Sequence, residues 1–396
     1  MAHRTLLSLL ALLLLPTAAC AEPPPGEDPD EPVPTSPKPA MLGLVQATGT
    51  LLPLSLRDGA FADPNNAEAI HAALSALDGH AERLERYGWG EDAGFAWLAR
   101  SLSEDAADAR IAYDLRRFDS AAFHAQRLTM NCVSCHSRLP DDQGSLLGEA
   151  LVEATDATGL TADEKAFLQQ ATRQFEAAAT TWEEVLADVP TDRASAGLWW
   201  LSDYLVLTIR VLDAPERALP VLTRWQASPA LPSFARPDIE AWRSSLAELA
   251  KAKPPKDRAA LLQRARELMK RAEAASALPT GRQGLVDHVA ASALLLRYLD
   301  GHAEGGDDLA EAYWLLGRAE AAIGAAPSLS LPEYYLEAAV RAAPASDVAR
   351  EALDLLSWRV AVQYTGSGGE QVPVEVRAGL DELQALVDAA NPGRKR

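Results

Sequence analysis

Along most of this chain the apolar residues recur at the three- and four-residue spacing of an amphipathic helix. The stretch Ala67 to Tyr87 shows it most clearly, with Ile70, Ala73, Leu74, Leu77, Ala81 and Leu84 on one stripe and Gly88 and Gly90 ending it. Before it, Met41 to Leu52 is a short apolar helix stopped at Pro53. After it, about Glu91 to Phe118 carries Phe95, Leu98, Leu102, Ala109, Ala112 and Tyr113 on one side, as one helix or as two meeting at Ser103, a good N-cap residue. A fourth helix starts at Asp119 or Ser120 and stops before Pro140. Asp141-Asp142-Gln143-Gly144 is a boundary, beyond which helices continue to near Asn391, with Lys251 to Arg258 as a basic linker and Gly366-Ser367-Gly368-Gly369 as a flexible loop. The pattern predicts an all-α chain.

The two ends of this pattern differ in composition. Leu6 to Leu15, after His3 and Arg4, is an apolar run too short to span a membrane and reads as a signal peptide. Glu22 to Ala40 is acidic and rich in proline, which predicts an extended, disordered tether over residues 21–40. With 48% hydrophobic residues, the remaining chain has enough apolar surface for real cores. A formal net charge of -19 speaks against a nucleic-acid partner, which calls for a basic surface, and reads as a solvated acidic exterior.

Candidate chemistry is concentrated at Cys132-Val133-Ser134-Cys135-His136, the Cys-x-x-Cys-His spacing of c-type haem attachment. On a helix the two thiols share nearly one face, so both can add to the vinyl groups of one porphyrin, and His136 follows as proximal iron ligand. A redox dithiol, half of a zinc site and chance are the rival readings; no second Cys-x-x-Cys supplies the missing zinc ligands. The chain has three cysteines, and the third, Cys20, closes Thr17-Ala18-Ala19-Cys20. That segment resembles the lipobox of bacterial lipoproteins, with Thr17 where Leu is usual. The resemblance implies cleavage after residue 19, acyl chains on Cys20, and anchoring by lipid rather than by a spanning helix. An ordinary secreted protein cleaved nearby is the alternative. Haem attachment is completed outside the bacterial cytoplasm, so export and motif agree.

Four helices with the motif near the end of the last resemble the class II c-type cytochromes, the cytochrome c′ group, over roughly Met41 to Pro140. The resemblance implies a four-helix-bundle haem domain, placed at residues 41–145, with one covalent haem c. For the sixth ligand, helix geometry turns Met130 about 160° from Cys132 and excludes it. His124, two turns back on the same helix, is also a poor candidate. His80 borders the apolar stripe, whereas His71 lies on the polar side. Met41 begins the first helix, from which some class II cytochromes take a Met ligand. His80 or Met41 is therefore the candidate distal ligand, with an open iron as the third case. Arg116 is read as a surface ion pair, or as pairing with a haem propionate or with Asp105 or Asp114.

Residues 160–391 carry a different signature. Gln174 to Trp182, closed by Pro190, resembles the second helix of a tetratricopeptide repeat, with Ala178 and Trp182 at the small and aromatic positions. Ala218, Leu222 and Trp225 form a second unit, and Trp314-Leu315-Leu316-Gly317 with Tyr335-Leu336-Glu337-Ala338-Ala339 and Pro344 a degenerate third. The resemblance implies an α-solenoid. Trp182, Trp199, Trp200, Trp225, Trp242, Trp314 and Trp358 read as its core and stacking residues.

No nucleophile elbow, zinc-binding His-Glu helix or telling carboxylate pair appears, so no enzyme activity is expected. The sequence predicts a lipid-anchored c-type cytochrome of a Gram-negative cell envelope, facing the periplasm, with an outer membrane favoured over an inner one. It would transfer single electrons and dock a redox partner or assembly component through the helical repeats. A gas-binding sensor with five-coordinate iron and a scaffold lipoprotein with a structural haem are the alternatives.

Overall fold

The chain folds as packed α-helices in a computed structural model that describes residues 36–87, 93–136, 160–275, 281–300, 306–324, 331–367 and 369–392. All of these belong to the unit Pro34–Arg396. The signal segment, Cys20, the tether up to residue 35, Gly88, Gly90, Pro140, Asp141 to Gly144, His302 and residues 394–396 lie outside them.

The stripes of the first four segments become four helices: α1 (Lys38–Ser55), α2 (Ala67–Arg86), α3 (Ala93–Asp114) and α4 (Phe118–His136). On α2 the buried residues are the six of the expected stripe. Both boundaries of the first helix move. Helix α1 begins at Lys38, inside the stretch expected to be tether, and it runs through Pro53 to Ser55 rather than stopping there. Proline lacks the N–H that Gly49 would receive, but Leu51, Leu52 and Pro53 are all buried, so packing carries the last turn past it. Between the two choices for the third stretch, the structure takes one unbroken helix, in which Ser103 is buried rather than capping. Each helix packs on the next and α4 returns to α1, which closes a four-helix bundle. Phe61, from the α1–α2 loop, closes one end edge-on against Tyr113 at 6.0 Å.

From Thr161 onward the chain is a stack. The order is α5 (Ala162–Ala171), α6 (Phe175–Val185), α7 (Ala194–Val206), α8 (Ala218–Ala227), α9 (Arg236–Leu249), α10 (Arg258–Ala275), α11 (Leu285–Asp300), α12 (Asp307–Ile323), α13 (Leu331–Ala342), α14 (Asp347–Gln363) and α15 (Val374–Ala390). A capping box between Thr161 and Glu164 starts α5. From α10 on, each helix packs on its successor, and α10, α12 and α13 also touch the helix after that, as stacked helix pairs do. Gly317 permits one of these crossings: a Cβ there would meet the Pro332 carbonyl at 3.1 Å. The glycine-rich loop after α14 is a small antiparallel ribbon, Thr365–Gly366 with Gly369–Glu370.

Tryptophans fill the stack core where their N–H groups find acceptors. Trp182 donates to Gln170 Oε1 at 2.7 Å and Trp225 to the Leu186 carbonyl at 3.0 Å. Trp199 and Trp358 depart from the expectation, for both lie more than half exposed. Bundle and stack are joined: α4 packs on α5, Leu98 of α3 belongs to the stack core, and Trp97 meets Tyr334 of α13 at 6.0 Å. No helix among the described residues is long and apolar enough to cross a membrane.

One buried ion pair ties the middle of the stack. Helix α7 continues into a π-helical turn, Leu207–Val211, from which Arg210 donates to Glu320 of α12 at 2.8 Å. Ser292 Oγ also donates to Glu320, at 2.6 Å. Both charged side chains are almost fully buried. Glu320→Ala strands the Arg210 charge and is expected to cost about 3–5 kcal/mol, read as a lower urea midpoint.

Candidate functional site

Helix α4 ends in the motif. Cys132, Cys135 and His136 open onto a cavity of about 470 Å³, its mouth included. Five helices wall it: Met41, Leu44 and Val45 from α1, Leu84 from α2, Leu98, Ala99 and Leu102 from α3, Asn131 and the motif from α4, and Ala171 from α5. Aliphatic side chains dominate this lining, because the apolar stripes of α1, α2 and α3 converge on the end of α4.

His136 is held by the stack. Its Nδ1 lies 2.8 Å from the Ala171 carbonyl at the end of α5. A carbonyl only accepts, so Nδ1 carries the proton and Nε2 keeps its lone pair. Burial pushes the imidazole down to about 4; the Ala171 bond opposes this and the Arg173 charge adds to it. The ring is therefore neutral at physiological pH, with one nitrogen fixed and the other free to bind a metal, as metal-ligating histidines are arranged. Arg173 follows α5 with a left-handed backbone, φ 64°.

The thiols are not joined in a disulfide. Burial pushes Cys132 up to about 11, so it stays protonated. Reactive dithiols work through a lowered thiol pKa, so this environment does not suit the redox reading. Nor do the three motif residues meet at one point as zinc ligands would. Among the described residues the only group of three or more His, Cys, Asp and Glu side chains whose ligand atoms converge within 4.8 Å is Asp105, Asp108 and His124. Asp105 there already accepts from Asn131 at 2.8 Å and Arg127 at 3.3 Å.

The two distal candidates part company. Met41 lies on the cavity wall with the motif. His80 does not; its ring packs on α1 so closely that a Cβ at Gly43 would fall 2.0 Å from Nε2. His71 is exposed, 3.9 Å from Asp114, and the side chain of Met130 lies outside the described residues. Arg116 sits in the exposed turn before α4, roughly 27 Å along the helix from His136, too far for any group on the motif. Asp105 takes Arg127 in its place.

Three contributors escaped the sequence. Ala171 acts through its backbone, which no side-chain pattern records, and Arg173 enters through a turn of the stack. Asn131 directly precedes the motif and could have been singled out by that adjacency. No family model, no curated protein and no solved structure matches the chain.

Stability on acidification checks the environment of His136. Its folded value of about 4 lies below the ordinary 6.5, so the unfolded chain binds the proton first. The associated stability is whole above 6.5 and is lost as pH falls towards 4. In a haem-free Cys132→Ala, Cys135→Ala protein, urea midpoints should drop over that window. A further His136→Gln change should flatten the drop; His288, also buried and held down to about 4, supplies a second share.

Proposed function

We propose that this protein is a c-type cytochrome that carries single electrons, with one haem c held covalently by Cys132 and Cys135 and with His136 as proximal ligand. The observation that carries this reading is the His136 ring, which shares an apolar cavity with two thiols not joined in a disulfide while the Ala171 carbonyl fixes Nδ1. The haem supplies the redox change; the chain's part is to hold it, exclude water with aliphatic walls, and set its potential through axial ligand and burial.

Met41 is the sixth ligand in this proposal, since it shares the cavity with the motif and His80 does not. The stack serves as docking element for a redox partner or assembly component. Its first helix is also the support of the proximal ligand. Cys20 carries the lipid anchor on the periplasmic side of a Gram-negative envelope. Similarity of the bundle to class II cytochromes and of the stack to tetratricopeptide repeats belongs to the same proposal.

Expression with a c-type maturation system tests it. The denatured band should keep haem stain, and the Cys132→Ala, Cys135→Ala protein should be colourless. A colourless wild-type band removes the reading. Met41→Ala should convert a low-spin ferrous spectrum into a high-spin one that binds CO. Wild-type protein that is already high-spin and binds CO would instead make it a gas-binding protein.

A further inference from the structure

A cluster of ligand-type side chains lies outside the cavity, where α3 packs on α4. Asp105 and Asp108 stand one turn apart on α3, on the same face, and His124 comes from α4. One ring nitrogen and one oxygen of each carboxylate all lie within 4.8 Å of one another. His124 is about 18 Å before His136 along the helix, so the cluster is separate from the motif.

Two observations set it apart from a surface ion pair. First, the ring is bonded to neither carboxylate, and its Nδ1 is buried with no hydrogen-bond partner. An imidazolium between two carboxylates would donate to one of them. His124 stands off instead, too far to pair and close enough to share an ion. Second, Asp105 is buried and held in place. Its Oδ2 accepts from Asn131 at 2.8 Å and its Oδ1 from Arg127 at 3.3 Å. Each carboxylate oxygen offers two acceptor sites, so both bonds leave room for an ion, and ligating carboxylates are commonly oriented by such partners. Glu85, Glu104, Asp105 and Asp108 face Arg100 and Arg127 here, an excess of negative charge. Burial first, then Glu85 among the charges, holds the Glu104 carboxyl above the usual range, with Arg100 opposing.

We propose that Asp105, Asp108 and His124 form a site for a divalent transition-metal ion, with Zn2+ as the reference ion and solvent completing its coordination. Carboxylates alone suit Ca2+ or Mg2+; an imidazole among them shifts the preference to Zn2+ and its neighbours. Bonds of about 2.0–2.2 Å hold three ligand atoms about 3.0–3.6 Å apart, so the cluster closes by about an ångström of side-chain rotation. Asp108 is exposed and His124 partly so, which leaves both free to turn and gives the ion a way in. Asp105 is the fixed ligand. The ion pins α3 to α4, and through Asp105 and Asn131 it steadies the turn before Cys132. None of this rests on the haem reading.

The test uses full-length protein without a polyhistidine tag, stripped with a chelator. It is run as isolated and as the Cys132→Ala, Cys135→Ala protein, in which no motif thiol competes. Zn2+ is titrated by calorimetry. Both forms should bind it, the second with one equivalent, and excess Mg2+ should not displace it. His124→Ala and Asp108→Asn should each weaken binding by at least the roughly tenfold that losing even an outer partner of a metal site costs. Zn2+ should raise the urea midpoint of the parent and leave that of His124→Ala in place. His71→Ala, at an exposed histidine of α2, should bind as the parent does. No saturable uptake, uptake only where the motif thiols are present, displacement by Mg2+, or parental affinity in either ligand variant overturns the proposal. Should His124→Ala fail to fold, judged by circular dichroism, Asp108→Asn alone decides, since that side chain is exposed. A band without haem stain leaves these results unchanged, so this proposal and the haem reading fail separately.

Discussion

A single hydrogen bond, from His136 Nδ1 to the Ala171 carbonyl, joins the last residue of the bundle to the last residue of the first stack helix. Around it the rest of the molecule is consistent. For the ring to be neutral, oriented and dry, α5 must pack on α4, and for α5 to be stable there the stack must continue behind it. Two hydrophobic cores that could have been separate are thereby made to share a boundary, with Leu98 and Cys135 on the stack side of it.

The same boundary explains why the cavity is so apolar. The stripes of α1, α2 and α3 converge at the end of α4, and each supplies aliphatic side chains because each is also building the bundle core. Among the described lining residues, polar side chains enter at two places. One is the motif itself; the other is Asn131, whose amide is oriented by a carboxylate that has its own cation. In the proposed haem site, such an apolar lining with few oriented polar groups would leave the potential to be set by the protein more than by water.

How much of this was legible in the sequence depends on what each feature is made of. Periodicity located all four bundle helices, and on α2 it named every buried residue, because burial on one face of a helix leaves a direct trace in residue type. A local rule failed where packing opposed it, for Pro53 did not end α1; at Ser103 the sequence left one helix or two open, and the chain takes one. Helix geometry kept two distal candidates open, and only tertiary placement separates Met41 on the wall from His80 against Gly43. For Arg116 a helical wheel shows direction but not distance along the axis, and its exposed place before α4 leaves the surface reading rather than one beside the motif. Trp199 and Trp358 were taken with the other tryptophans, although neighbours on a helix point to different sides. The support from Ala171 was beyond any such reading, since a backbone carbonyl has no residue type.

The ring contact between Trp97 and Tyr334 has a mechanical meaning. A stack of helix pairs is an elastic strip, and a strip fixed at one end bends freely. This one is fixed twice: behind His136 by α5, and again against α3 beside Leu98, itself part of the cavity wall. Bending of the strip between those clamps has to be taken up as strain at one of them. Load placed on the stack between them therefore reaches the cavity through both contacts.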